Sequence, residues 1–190
     1  IFCEKSIPID VIISPEQIVT QQVLRLIEFP GALQVVDFAG GRIQLIGLRA
    51  YFGGPLVGHE LGELRNHLPT VATRVAAIYR QNRAIIPRGN TIIEPDDEVF
   101  FVAAHENIRK VMSELRMVEK PGNRIMLAGA GNIGLRLAQT LEESRYQVKL
   151  IELNRNRARQ VAERLDKTIV LHGNAADEEL MLQENIEATE

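Results

Sequence analysis

The sequence predicts an α/β chain in which a small α+β lobe precedes one half of a doubly wound parallel sheet. Three observations predict it. Residues Arg124–Glu152 read as a short apolar strand, a glycine-rich turn, a helix, a second strand and a closing acid. Upstream of them lie several short runs of β-type residues separated by turn signals. Between the two stands the polar stretch Glu119-Lys120-Pro121-Gly122-Asn123, whose proline and glycine mark a boundary. The strand, glycine turn, helix and acid together make the second part a Rossmann-type parallel-sheet half unit.

The turn is Gly129-Ala130-Gly131-Asn132-Ile133-Gly134, a G-x-G-x-x-G between a strand and a helix. The first glycine permits the tight turn. The second lets a pyrophosphate approach the backbone, and the third lets helix and strand pack closely. The helix N-terminus then offers free N–H groups and a positive dipole end to phosphates. Glu152 lies 18 residues beyond Gly134, where a carboxylate accepts hydrogen bonds from ribose hydroxyls. The same carboxylate would repel a ribose 2′-phosphate, so NAD or an adenine nucleotide is preferred over NADP.

From the start of the chain, Ile9–Ile13 reads as a buried strand. Ser14 is an N-cap, Pro15 the first helical residue, and Ile18, Val19, Val23, Leu26 and Ile27 recur at helical spacing. Pro30-Gly31 ends that helix. Short strands are expected at Leu33–Phe38, Gln44–Arg49, Arg74–Tyr79, Thr91–Ile93 and Glu98–Ala103, with turns at Gly40-Gly41 and at residues 80–83. Glu60–His67 predicts a short helix stopped by Pro69, and His105–Met117 a longer one with Ile108, Val111, Met112 and Leu115 on one face. Beyond the linker, helices are expected at 132–144, 155–165 and 177–185, with strands at 147–151 and 168–171. The expected domains are 1–31, the end of a preceding Rossmann unit; 32–118, the lobe; and 119–190, the start of a further Rossmann unit.

Composition narrows the function classes. The 190 residues are 45% hydrophobic and 25% charged with net charge -3, ordinary for a globular chain and contrary to a general nucleic-acid binder. A single cysteine, Cys3, excludes an intrachain disulfide and a cysteine-based zinc site. No apolar run approaches the ~20 residues of a membrane helix, and no signal peptide is visible. The chain opens on Ile1 without methionine and stops soon after a third Rossmann strand, so it reads as a piece of a longer protein.

The remaining titratable residues point to structure more than to chemistry. His59, His67, His105 and His172 form no metal-binding spacing, although His172 follows a strand and could line a nucleotide cleft. Turn chemistry accounts for Asp96-Asp97-Glu98, and Glu60 and Glu63 fit a short helix. Arg155, Arg157 and Arg159 lie near the ribose acid; one could reach a phosphate, or all could form a solvated helix face. Val111–Val118 reads as an amphipathic helix, serving as lobe core, as a hinge, or as a subunit contact.

In its order of parts the chain resembles the TrkA family of bacterial potassium-uptake regulators, of RCK (KTN) type. Ile12–Phe38 is similar to the segment leaving the family's first Rossmann unit. Leu56–Leu64, Ala77–Arg80, Ala84–Pro87 and Pro95–Val102 are similar to its C-terminal lobe, and Arg124–Gly173 to its second Rossmann unit. The resemblance implies an RCK C-terminal lobe in the first part and a truncated TrkA-N domain in the second. It implies a cytoplasmic, non-enzymatic regulatory subunit, peripheral on the inner face of the plasma membrane. Such a subunit binds NAD or NADH, or ATP or ADP at the same site, self-associates into an oligomer, and gates a membrane-embedded Trk-type potassium transporter. Gly129, Gly131, Gly134 and Glu152 match the family's nucleotide anchor, and Arg157 its basic residue after the ribose acid. Ala130, Asn132 and Ile133 complete the turn. Gly173-Asn174 stands where the family commonly has Gly-Asp, so the ligand edge there is neutral.

Two rival functions stay open on the sequence. The glycine fingerprint is shared with NAD-dependent oxidoreductases, whose catalytic domain would then lie outside this chain. A structural assembly lobe with an empty site would carry the same residues.

Overall fold

A computed structural model of the chain describes residues 13–116, 122–144 and 146–189. The expected strand at Ile9–Ile13 and the start of the linker fall largely outside these residues. Two compact units are present: one takes in residues 13–24 and 122–189 of the described chain, the other residues 25–116.

The unit of residues 25–116 is built on a five-stranded antiparallel sheet. Its strands are β1 (Ala32–Phe38), β2 (Ile43–Arg49), β3 (Thr73–Arg80), β4 (Arg83–Ile85) and β5 (Glu98–Ala104), in the order β1-β2-β5-β3-β4. Alternation explains why β5 is central. Val99, Phe101 and Ala103 are buried, while Glu98, Phe100 and Val102 between them are only half-buried. β1 and β2 are joined by a turn in which Ala39, Gly40 and Gly41 all take positive φ. β3 and β4 are joined by Gln81-Asn82, with φ of 48° and 63°, the two-residue hairpin turn whose twist matches that of the strands.

One face of the sheet carries the core. Val35, Ile46, Leu48, Val99 and Phe101 pack with Leu56, Ile108, Val111 and Leu115, all 0% exposed. Each such side chain contributes about 1.5–3 kcal/mol on burial. Two short helices belong to this unit, α2 (Leu64–His67) and α3 (Ile108–Met112), each entered through a single 3-10 turn. Of the expected helix His105–Met117 only Ile108–Met112 is α-helical, residues 113–116 turn away, and Met117 and Val118 lie outside the described residues. The loop before α2 takes its last carbonyls: Tyr51 N–H donates to Leu115 O at 3.1 Å and Leu56 N–H to Glu114 O at 2.8 Å. Thr91–Ile93 forms no strand; Ile92 and Ile93 make isolated bridges to Glu60 and Val57.

Helix α1 (Pro15–Glu28) begins as its cap signature requires, with Ile18 N–H donating to Ser14 O. Ile18 and Val19 stay 53% and 42% exposed. At its end, Arg109 donates to Glu28 O, satisfying a carbonyl that a helix C-terminus leaves free, and Arg116 donates to Gly31 O in the turn beyond it.

The other unit holds the parallel sheet β6 (Arg124–Ala128), β7 (Gln147–Glu152) and β8 (Ile169–His172), in the order β6-β7-β8. Helices α4 (Asn132–Glu142) and α5 (Arg155–Ala162) make the crossovers, and α6 (Glu178–Gln183) follows β8. Leu135, Leu137, Ala138 and Leu141 of α4 are buried, as are Val148, Leu150 and Ile151 of β7. This is the expected mixed α/β class, with the parallel half unit intact as β-α-β-α-β-α.

Candidate functional site

The parallel register sets the site. Ala128 of β6 pairs with Ile151 of β7, and Glu152 pairs with His172 of β8. The carboxyl ends of all three strands therefore reach one edge, which is where open α/β sheets bind ligands.

At that edge the chain leaves β6 through Gly129, whose φ is 96°, a left-handed conformation open to glycine without strain. Gly134 meets a different demand. A Cβ there would stand 2.0 Å from Gly129 O, so helix and turn could not approach as they do. Gly131 meets neither demand. It is the N-cap of α4 with φ -66°, and a Cβ built on it would find nothing within 4 Å. No side chain caps α4, and no acidic residue occupies its first turn. Its leading N–H groups and dipole are thus available to an anion.

Beside this turn is a cleft of about 530 Å³, within the size range of small-molecule sites. Gly129, Gly131, Asn132, Ile133 and Gly134 line it, with Leu127, Leu137 and Glu16. The other candidate residues lie around the turn and not in this cleft. Ala130 is fully buried. Its N–H donates to Glu152 Oε2 at 2.7 Å and its carbonyl accepts from Arg157 Nε at 2.8 Å. The other Glu152 oxygen accepts from Asn154 N–H at 2.8 Å. These two N–H groups, of Asn154 and Ala130, hold the Glu152 carboxyl below the usual carboxylate range against a smaller opposing effect of burial, with Arg157 adding to them. Each oxygen keeps acceptor capacity beyond one bond, so the carboxylate is oriented without being used up.

Asn154 caps α5 by accepting from Arg157 N–H. Gly173 N–H donates to Glu152 O, and a Cβ on Gly173 would stand 2.5 Å from Leu180 Cδ2. Asn174 accepts from Ala176 N–H at 2.9 Å, an Asx turn that leaves its amide N–H groups for other partners. His172 is exposed at the strand edge beside Glu152. Among the described residues no group of three or more His, Cys, Asp or Glu gathers to hold a metal ion, and no helix is long and apolar enough to cross a membrane.

Three residues near or away from the cleft were missed on the sequence. Glu16 stands in the first turn of α1, and only tertiary structure brings it to the glycine turn. Glu142, 8% exposed, accepts from the N–H groups of Asp166, Lys167 and Thr168 and from the Thr168 hydroxyl. Asp97, 1% exposed, takes both Nε and Nη2 of Arg80 at 2.8 Å. Turn chemistry alone does not account for a carboxylate so deeply placed.

The TrkA-C domain model matches residues 45–116, and the TrkA-N domain model matches residues 125–190. The chain belongs to the TrkA family. Its TrkA-N domain holds the site just described, and its TrkA-C domain is the antiparallel lobe. The Trk system potassium uptake protein TrkA of Halomonas elongata is 60% identical over 98% of this chain. That of Vibrio alginolyticus is 56% identical over 98%, and that of Haemophilus influenzae 45% identical over all of it. The chain spans 41% of the length of each of these curated relatives. Among solved structures, the GsuK RCK domain superposes with TM-score 0.54 at 15% identity, over 92% of this chain and 37% of that one. A GsuK channel bound to NAD superposes equally well over 92% of this chain and 30% of its own. At that identity the likeness is one of fold: the architecture is that of RCK domains.

Proposed function

We propose that this chain is the nucleotide-sensing part of a regulatory subunit of a potassium-uptake system. Its TrkA-N domain would bind NAD or NADH, with ATP or ADP as alternative ligands at the same turn. The carrying observation is Gly131. Gly129 and Gly134 are demanded by the chain's own backbone, whereas among the described residues none but its chain neighbours stands within 4 Å of a Gly131 Cβ. A residue kept bare at an uncapped helix N-terminus leaves room for a phosphate oxygen against the backbone.

In this reading the phosphates lie on Gly129–Gly134 and the N-terminus of α4, and the ribose hydroxyls donate to Glu152. Arg157, Gly173 and Asn174 border the ligand on the far side of the turn. Ala130 acts from beneath, its N–H aiming the Glu152 carboxylate and its carbonyl holding Arg157. NAD(H), ATP and ADP share this anchor and differ beyond it. A ligand shifts a conformational equilibrium only by its different affinity for the two states. Different nucleotides would therefore favour different arrangements of neighbouring Rossmann units and so gate a membrane-embedded potassium transporter. The reading places the protein in the cytoplasm, held on the inner face of the membrane by that transporter, oligomeric and without catalysis. The domains then divide near residues 31 and 118, the TrkA-N part beginning a second repeat.

Calorimetric titration of the chain and of Gly131→Val with NAD, NADH, ATP and ADP tests this. Binding by the parent and its loss in the variant, with potassium uptake lost in the full-length protein carrying the same change, is the expected result. No binding of any of the four would leave the site empty and sink the proposal; turnover of NADH with a carbonyl substrate would replace it with a dehydrogenase.

A further inference from the structure

The TrkA-C lobe carries a second concavity that the nucleotide site does not use. It is a groove of about 1300 Å³ running along the first half of β3, with Val102 of the neighbouring β5 in its lining. Its apolar lining comes from Leu61, Leu64, Leu68, Val71, Val75 and Val102. Several of these side chains also pack against the lobe core, so the groove is anchored in it.

Two features of the groove are independent. The first is an open strand edge. β4 pairs only with Ile78, Tyr79 and Arg80, and among the described residues no other strand pairs with Thr73–Ala77 on that side. β4 ends at Ile85, and Pro87, two residues on, has no N–H to donate to a continued ladder. Chain that could have covered the edge instead turns away, and Pro87, Arg88 and Gly89 form the groove's far rim. The second feature is charge. Arg65, Arg74 and Arg88 all line the groove and are exposed, no acidic side chain lines it, and none of the three makes an ion pair among the described residues.

An unpaired strand edge binds extended backbone, with flanking pockets selecting alternate side chains. Three unpaired arginines select carboxylates. We infer that this groove is a docking site for an acidic peptide in extended conformation, which adds to the sheet as a strand beside Thr73–Ala77. Alternate residues of the peptide face the leucine and valine lining, and the others reach the arginines. The bulge between Val75 and Ala77 limits the added ladder to a short segment. This site is separate from the nucleotide cleft and stands whether or not that cleft binds NAD.

The probe is an end-capped peptide of alternating glutamate and valine, ~8 residues long and so a little over 25 Å when extended. Titration into the ¹⁵N-labelled chain should move the amides of Thr73–Ala77 and slow their hydrogen exchange. Arg65→Gln, Arg74→Gln and Arg88→Gln combined should weaken binding by about tenfold, since exposed pairs are individually small. A lysine–valine peptide should not bind, and N-methylation of alternate amides of the acidic peptide should abolish binding while leaving its charge. Any of four results overturns the inference. They are no binding of the acidic peptide, binding indifferent to the arginines, equal competition by inorganic phosphate without amide protection, and concentration-dependent self-association that protects the same amides without peptide.

Discussion

Glu152 and Ala130 are joined by a hydrogen bond of 2.7 Å, from the Ala130 N–H to the carboxylate across the strand edge. The proposed ribose acid is thus tied to the middle of the phosphate turn. Arg157, bonded to the Ala130 carbonyl, closes the same triangle.

Glu152→Gln is expected to keep the fold and to weaken NAD binding by about tenfold, the worth of one hydrogen bond to a charged group. The wild-type pH dependence follows from the lowered carboxyl pKa, the ordinary value being 4.5. Above that value the carboxylate is ionised in both free and unfolded chain. As pH falls, it keeps its charge until the lower folded value is crossed. Affinity measured by calorimetry should therefore stay level from neutrality down through 4.5 and fall only at lower pH, where the folded carboxyl takes up its proton.

Gly131 and Gly134 should separate binding from folding. Gly134→Ala drives a Cβ into Gly129 O, an overpacking worth about 1–3 kcal/mol or more because backbone must move. Gly131→Ala meets open space, so its cost is that of a poorer N-cap, about 1 kcal/mol at most. Denaturant unfolding and nucleotide titration of both variants check this. Equal stability losses, or unweakened binding in Gly131→Ala, would contradict the ligand-based account of Gly131.

Glu142→Gln should destabilise the TrkA-N domain by roughly 3 kcal/mol, because buried N–H donors lose a charged acceptor. Burial pushes the Glu142 carboxyl up. The Lys167 N–H, the Thr168 hydroxyl and the N–H groups of Asp166 and Thr168 more than reverse this and hold it below 4.5. A depressed carboxyl stabilises the fold fully above its unfolded value and loses that contribution as pH falls through the folded one. Urea titrations from pH 7 to 3 should show the wild type losing an acid-sensitive increment that Glu142→Gln lacks.

Asp97→Asn should cost the lobe about 2 kcal/mol. Breaking a buried pair costs about 3–5 kcal/mol, and here Arg80 remains partly exposed, which lowers the figure. Thermal unfolding followed by a probe in the lobe measures it; a change below 0.5 kcal/mol, the scatter of ordinary surface substitutions, would contradict a staple role.

Local signals were legible where the cause is local. Ser14-Pro15 announced α1, the glycine turn announced α4, and short runs of β-type residues between turn signals announced β1, β2, β3 and β5. The helix expected to run to Met117 was overestimated because its apolar spacing continues through Leu115 while the carbonyls of Glu114 and Leu115 are taken by Leu56 and Tyr51. β4, three residues of an exposed edge, has too little pattern to be seen as a strand in its own right.

By itself the sequence determined the α/β class, the two-part order, the parallel half unit and the identity of the glycine turn with its acid. All of these depend on spacing along the chain, which backbone geometry converts directly into position. Only the tertiary structure decided that Glu152 is bound to Ala130, that Glu16 reaches the cleft, that Glu142 and Asp97 are buried staples, and that β3 keeps an open edge beside three arginines. The first three of these join residues far apart in the chain, and contacts at that range follow from packing, which no local period records.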